Sequence, residues 1–365
     1  MINWQYYHWH LEISGKCTLQ CPRCPRTELP DTPWINKELD LDFVKRLFPQ
    51  NFLRSQVQRI TLCGDVGDPI YASQFHDIVE YLKETNPDVH LFIVTNGSYR
   101  KLAWWQRLAL TLNDRDTVNF SIDGYDQQTN NLYRRNSDWD SIMQGMQTMC
   151  RESQAFINWA TIVFSFNQDH LDLIEHLARE QGCDGLQLTH STKFGSKYGQ
   201  AYQAEQDPLE PRPEFVSDTH RYHRIYKPLS HRRQDNGDYL AYNLARYQDI
   251  IDSKGQDPIV PMCEIGNRGL YVSADGVLHP CSWVSFPYTT LTHGTKTIKY
   301  QDSFHQRYRD RLNLHTRSLE EITTDQLWSK LSCGWKDTEH TWVECSQKCS
   351  RDLVNKEYAV QWLTN

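Results

Sequence analysis

Three cysteines fall close together in Gly15-Lys16-Cys17-Thr18-Leu19-Gln20-Cys21-Pro22-Arg23-Cys24-Pro25-Arg26, with the spacing C-x3-C-x2-C. Three thiolates in so short a loop can converge on one iron–sulfur cluster. A cube held by Cys17, Cys21 and Cys24 alone keeps one iron open to a substrate or cofactor, and an open iron is a reaction site. Zinc is the other reading of close cysteines; it needs a fourth ligand, and His8 and His10 stand upstream.

A second group, Cys263, Cys281, Cys333, Cys345 and Cys349, crowds the last third of the chain. Cys263 and Cys281 bracket Ser273-Ala274-Asp275-Gly276 in the pattern C-x12-G-x4-C. That tetrad is turn chemistry between two short strands, and a hairpin draws its flanks together. Cys345 and Cys349 follow a helix-like run, Ser318–Leu331. A structural zinc knuckle competes for these thiols. Cys150 and Cys183 lie in apolar contexts that suit small buried hydrophobes, and Cys63 borders a glycine-rich loop where either role fits.

Reactive loops need rigid supports. Strand candidates are Tyr7–Ile13, Val57–Cys63, His90–Thr95, Thr117–Asp123, Phe156–Ser165 and Leu186–His190, with gaps long enough for crossover helices. Phe75, Ile78, Val79 and Leu82 form one apolar helix face behind the potential cap Ser73. Similar faces come from Leu41/Val44/Leu47/Phe48, from Ile142/Met146/Met149 behind Asp138, and from Leu171/Ile174/Leu177/Ala178. Six βα units predict an α/β fold, an open parallel barrel with its chemistry at the C-terminal strand ends. From Phe194 to Pro261 the chain turns polar and is broken by prolines, which reads as a connecting segment with helix around Tyr239–Ile251.

A length of 365 residues fits one large α/β domain and a smaller module. Eleven cysteines form no regular disulfide framework, and Met1–His10 has no basic segment followed by an apolar run. Both point to a reducing, cytoplasmic setting. No apolar run approaches the roughly 20 residues of a membrane span. A net charge of −7 gives no global drive toward nucleic acid or anionic lipid, though nucleic acid is not excluded as a partner. Twelve tryptophans read as packing residues rather than stacking platforms. So few residues precede the first strand that no separate leader-peptide-binding domain is expected at that end.

The strand ends carry the remaining candidates. After the second strand comes Cys63-Gly64-Asp65-Val66-Gly67-Asp68-Pro69, where glycines permit close backbone approach to a ligand and Asp68 offers a carboxylate to an ammonium group. The third strand ends in Thr95-Asn96-Gly97 and the fourth in Ser121-Ile122-Asp123-Gly124, followed by Tyr133-Arg134-Arg135. Asn96 and Ser121 can hydrogen-bond ribose or carboxylate oxygens, and Arg134, with Arg135 as alternate, can pair with a carboxylate. Taken singly, Asp123-Gly124 also reads as a tight turn and Arg134 as a solvated charge.

Cysteine loop and strand ends together resemble the radical S-adenosylmethionine (SAM) superfamily. Val66-Gly67-Asp68-Pro69 is similar to its Gly-Gly-Glu-Pro motif, with Asp for Glu, and Arg23 stands where the family usually has an aromatic. The resemblance implies a [4Fe–4S] cluster on Cys17, Cys21 and Cys24, SAM on its open iron, and cofactor contacts from Gly67, Asp68, Asn96, Ser121, Asp123 and Arg134. It implies a partial (β/α)6 barrel core over residues 1–195, a polar connection over 196–260, a twitch/SPASM-like module over 261–351 and a tail over 352–365. That module would hold an auxiliary [4Fe–4S] cluster on Cys263, Cys281, Cys345 and Cys349, with Cys333 as substitute. The implied reaction is reductive cleavage of SAM to a 5′-deoxyadenosyl radical, which takes a hydrogen atom from a peptide or protein residue. The alternatives are a nucleoside, nucleic-acid base or small-molecule substrate, or a non-catalytic iron–sulfur protein. A flavodoxin- or ferredoxin-type reductant is the implied electron source.

Overall fold

The computed structural model describes residues 6–191, 207–215 and 222–225 and, in the last third, 252, 255–261, 263, 270–285, 292–293, 296–297, 307–327, 334–336, 345 and 349–351. All six strand candidates become strands: His8–Leu11 (β1), Arg59–Leu62 (β2), His90–Thr95 (β3), Thr117–Ser121 (β4), Phe156–Val163 (β5) and Gly185–His190 (β6). The chain divides into two compact units, Leu11–Pro228 and Met1–His10 with Leu229–Asn365.

In the first unit β2 to β6 pair in parallel and in chain order, with Ile60 opposite Leu91, Ile93 opposite Val118, Val118 opposite Ile157 and Trp159 opposite Leu186. A further strand, Tyr222–Ile225 (β7), adds antiparallel to β6, so the order ends at an edge instead of closing a ring. The result is a mostly parallel, unclosed α/β sheet.

Parallel neighbours need long crossovers, and helices supply them. In chain order they are Pro25–Glu28 (α1), Leu41–Leu47 (α2), Gln50–Gln56 (α3), Phe75–Thr85 (α4), Leu102–Thr111 (α5), Gln127–Tyr133 (α6), Trp139–Glu152 (α7) and Leu171–Glu180 (α8). Asp138 caps α7 as expected, accepting from the Ser141 amide at 2.9 Å. Ser73 does not cap α4. Its amide and hydroxyl both go to the Glu38 carboxylate, at 2.9 and 3.2 Å, and Gln74 takes the cap position.

The two faces of this sheet differ. Ile60, Leu62, Leu91, Ile93, Val118, Phe120, Ile157, Trp159 and Leu186 are fully buried on one face, where Phe120 meets Trp105 of α5 at 5.2 Å between ring centroids. Alternate residues leave the other face half-open: Arg59, Thr61 and Cys63 on β2 and just beyond it, His90, Phe92 and Val94 on β3, Ser121 on β4, Ala160 and Ile162 on β5, Gln187 and Thr189 on β6. One face is an apolar core, and the other is half-open and mixes polar with apolar side chains.

In the second unit Leu270–Val272 (β8) and Leu278–His279 (β9) pair antiparallel, with Tyr271 opposite His279. Gly276 turns the chain at φ +78°, a conformation that favours glycine. Within the run expected to be helical over Ser318–Leu331, Leu319–Thr323 is a helix opened by a capping box between Ser318 and Glu321, Leu327 is helical again, and residues 328–331 lie outside the described residues. Between the two, Asp325 accepts from the Leu327 amide at 2.9 Å and the Arg317 guanidinium at 2.8 Å. The helix expected around Tyr239–Ile251 lies outside the described residues.

Candidate active site

The cysteine loop is clamped at both ends. At its start, Arg26 donates to the Gly15 carbonyl at 2.6 Å and to Asn36 Oδ1 at 2.9 Å. Further along, the Gln20 amide donates to the Arg135 carbonyl at 3.0 Å and Asn136 Nδ2 to the Thr18 carbonyl at 2.7 Å. Cys24 stands at the N-cap of α1, whose Pro25 needs no amide partner at the first helical position.

These clamps gather the thiols in one apolar pocket: Cys21 is buried with Leu19, Tyr133 and Phe164, and Cys17 and Cys24 pack against them. Burial pushes the Cys21 thiol up to about 12, partly offset by the Arg134 guanidinium and raised again by Cys24. Cys17 is pushed up chiefly by burial, then by Asp68, and further by Cys21 and Cys24. Among the described residues no three His, Cys, Asp or Glu side chains are grouped closely enough to hold a single metal ion. Crowded buried thiols are poor anions alone and good ligands for a cation that supplies the missing positive charge, so the donor set fits an iron cluster. His10, a candidate zinc ligand, instead lies edge-on to Tyr271, 4.8 Å between centroids.

The loop after β2 lies against the base of the cysteine loop. Glu12, fully buried, accepts from the Val66 and Gly67 amides at 2.8 and 2.9 Å, and the Asp68 amide donates to the Lys16 carbonyl at 2.9 Å. A Cβ on Gly67 would stand 1.9 Å from the Ser14 carbonyl oxygen. The close approach this glycine permits is therefore to the chain's own backbone. Asp68 accepts from the Ile70 amide at 3.2 Å, Thr95 Oγ1 at 2.9 Å, the Asn96 amide at 2.7 Å and Asn96 Nδ2 at 2.5 Å. Its carboxylate is saturated by donors, yet burial still holds it up at about 6. Through these bonds Asp68 orients Asn96, whose Nδ2 also points to Cys17 Sγ at 3.7 Å.

Buried Asp123 and half-buried Arg134 pair at 2.6 Å. The other Asp123 oxygen accepts from the Ile162 amide at 2.7 Å, which ties the end of β4 to β5. Burial works against the Arg134 charge, but Asp123 and then Cys21 outweigh it and hold the guanidinium ionised. Ser121, half-buried at the end of β4, makes no side-chain hydrogen bond among the described residues, nor do Gln187 and Thr189 on β6. Ala160 lies opposite Ser121 on one side and Gln187 on the other.

In the second unit, an isolated bridge pairs Ile259 with Ser350, and the Val260 amide donates to the Cys349 carbonyl at 2.8 Å. The sequence neighbourhoods of Cys263 and Cys349 are thereby adjacent. Cys281 stands two residues past β9, and Cys263, Cys281 and Cys345 are half-buried while Cys349 is buried. Cys333 lies outside the described residues.

Sequence reasoning passed over Glu12, Tyr71 and Asp207. Glu12 had a signal, a lone carboxylate between Leu11 and Ile13 in an apolar strand. Tyr71, bonded to Thr18 at 2.8 Å and to the Ser98 carbonyl at 3.0 Å beside the cysteine loop, had none.

Residues 11–179 match the family model for the Radical SAM superfamily. Over 291 residues the chain is 23% identical to a GTP 3',8-cyclase of Campylobacter curvus (strain 525.92), covering 74% of this chain and 78% of that protein. It is 28% identical over 149 residues to the GTP 3',8-cyclase of Haemophilus ducreyi, 39% of this chain and 40% of that protein. Among solved structures, a tagged anSMEcpe with bound AdoMet superposes with a TM-score of 0.55 at 13% identity, over 96% of this chain and 87% of that one. Native anSMEcpe with bound AdoMet and Cp18Cys peptide gives 0.51 at 14% identity, over 96% and 90%. The family match spans the stretch whose strand ends build the site, and by that match residues 11–179 are a radical SAM domain.

Proposed function

We propose that this enzyme cleaves SAM reductively at a [4Fe–4S] cluster held by Cys17, Cys21 and Cys24, and that the resulting 5′-deoxyadenosyl radical takes a hydrogen atom from a peptide or protein residue. The observation that carries the first half is the gathering of the three thiols in one pocket beside Asn96. The cluster, when bound, supplies one electron and an open iron for SAM. The chain's own groups orient and shield. Ser121 offers an uncommitted hydroxyl, Asn96 an amide fixed by Asp68, and Arg134 a charge fixed by Asp123, while Gly67 lets its loop lie close beneath them. In the second unit Cys263, Cys281, Cys345 and Cys349 would hold an auxiliary cluster that accepts an electron from the substrate radical or orients substrate. A flavodoxin- or ferredoxin-type protein would supply electrons.

The peptide reading rests on the rim of the half-open face. There Gln187 and Thr189 are neutral hydrogen-bonding groups, suited to amides. The superposition with a peptide-bound anSMEcpe is in keeping with it. A nucleotide is the second reading, favoured by relatives named GTP 3',8-cyclase and by Arg59, whose guanidinium lies 4.5 Å over the Phe92 ring at the far end of the same face. The test is 5′-deoxyadenosine release by reduced, cluster-loaded protein. Stimulation by peptide pools supports the first reading, and stimulation by GTP alone replaces it with the second. No release with clusters intact, with or without either substrate, sinks both.

A further inference from the structure

Arg23, like Asp68, stands where the sequence departs from the family pattern, and the structure gives it an acidic partner. Its guanidinium pairs with Asp207 at 2.5 Å, and both residues are buried, at 5% and 4% exposure. Asp207 opens a described segment, 207–215, that bridges two loops. The other Asp207 oxygen accepts from the Leu209 amide at 3.0 Å. The Pro208 and Leu209 carbonyls accept from the Ser165 hydroxyl at 2.5 Å and the Ser165 amide at 3.1 Å. The Arg212 amide donates to Gln168 Oε1 at 2.7 Å. Between these anchors Leu209 packs on the apolar pocket that holds Cys17, Cys21 and Cys24.

We propose that Arg23 is a positioning residue that straps segment 207–212 over the three-cysteine pocket, so that Leu209 shields the cluster from solvent and oxygen. Breaking a buried ion pair by removing one charge leaves the other without that counter-charge, which loosens the strap, whereas removing both charges takes the penalty away. This rests on the reading of Cys17, Cys21 and Cys24 as a cluster site.

The experiment uses full-length, cluster-loaded protein with two readouts. Amide hydrogen exchange over residues 165–168 and 207–212 follows the strap whether or not a cluster is present. The electron paramagnetic resonance signal that shifts on adding SAM reports only the cluster with an open iron, and its lifetime in air measures shielding. Arg23→Met is expected to speed both exchange and signal loss by about tenfold or more. Arg23→Lys should keep most of the protection, and Arg23→Met with Asp207→Leu should restore both rates toward wild type. Where Arg23→Met yields no folded protein, Leu209→Ala leaves the ion pair intact and should speed signal loss without changing strap exchange. Faster exchange with an unchanged signal lifetime, or an unchanged lifetime in Leu209→Ala, overturns the proposal. A wild-type protein with no SAM-responsive signal refutes the cluster reading itself.

Discussion

Cys17, Cys21 and Cys24 share one loop, and every clamp on it comes from neighbouring strand ends and helix termini of a single unit. Cys263, Cys281, Cys345 and Cys349 come instead from a hairpin and from a bridge between segments remote in sequence, Ile259 with Ser350. The first group is fixed by local geometry on a stiff sheet. The second depends on pairing between segments remote in sequence, which carries the larger loop-closure entropy. The contrast suggests that a cluster in the first group does the chemistry, while one in the second is more easily lost.

The largest expected effect separates the groups outright. Replacing Cys17, Cys21 and Cys24 together by Ala should abolish 5′-deoxyadenosine formation and leave about half the iron, if the second cysteine group holds the cluster proposed for it. Replacing Cys263, Cys281, Cys345 and Cys349 should remove the other half and spare uncoupled SAM cleavage. Iron analysis beside product assay checks both, and equal loss of cleavage in the two variants would erase the distinction.

Gly67→Ala comes next. Its Cβ meets the Ser14 carbonyl, so the loop under the first group must shift, at a cost of roughly 3 kcal/mol. Thermal unfolding should show the loss, while iron on the second group stays.

Asp68→Asn keeps shape and removes charge, and should weaken SAM binding by roughly 1.5–3 kcal/mol through the misplaced Asn96. Asp65→Asn is the control; an equal loss there would point to a general effect of acidity in the loop. A pH titration of cluster-free protein sharpens the case. Burial holds Asp68 at about 6, so between the ordinary carboxylate value and about 6 the folded chain binds a proton that the unfolded chain has released. Its contribution to stability therefore falls as pH rises through that interval, and Asp68→Asn should flatten the slope.

The smallest effect lies in the second unit. Replacing the Val260 peptide N–H by an ester oxygen removes only the donor to the Cys349 carbonyl, at about 1 kcal/mol. Selective loss of iron from the second group, with SAM cleavage unchanged, is the expected readout.

Much of the first unit was legible because its signals are local. Alternation of β-rich runs with apolar helix faces located all six strands and the cap Asp138, and cysteine spacing singled out the loop whose three thiols the fold gathers. Ser73 was misread as a cap because Glu38, which takes its donors, is remote in sequence. The glycine of the Gly67 loop was read as making room for a ligand, when its neighbour is Ser14.

Sequence alone determined which residues can do chemistry and which strand each follows, since those depend on residue type and short-range periodicity. Tertiary structure alone decided what each touches. It bound Asp68 to Asn96, Asp123 to Arg134, Glu12 to the Gly67 loop and Arg23 to Asp207. Those partners lie far apart along the chain, and a buried charge takes whichever partner the packed fold brings within hydrogen-bond distance.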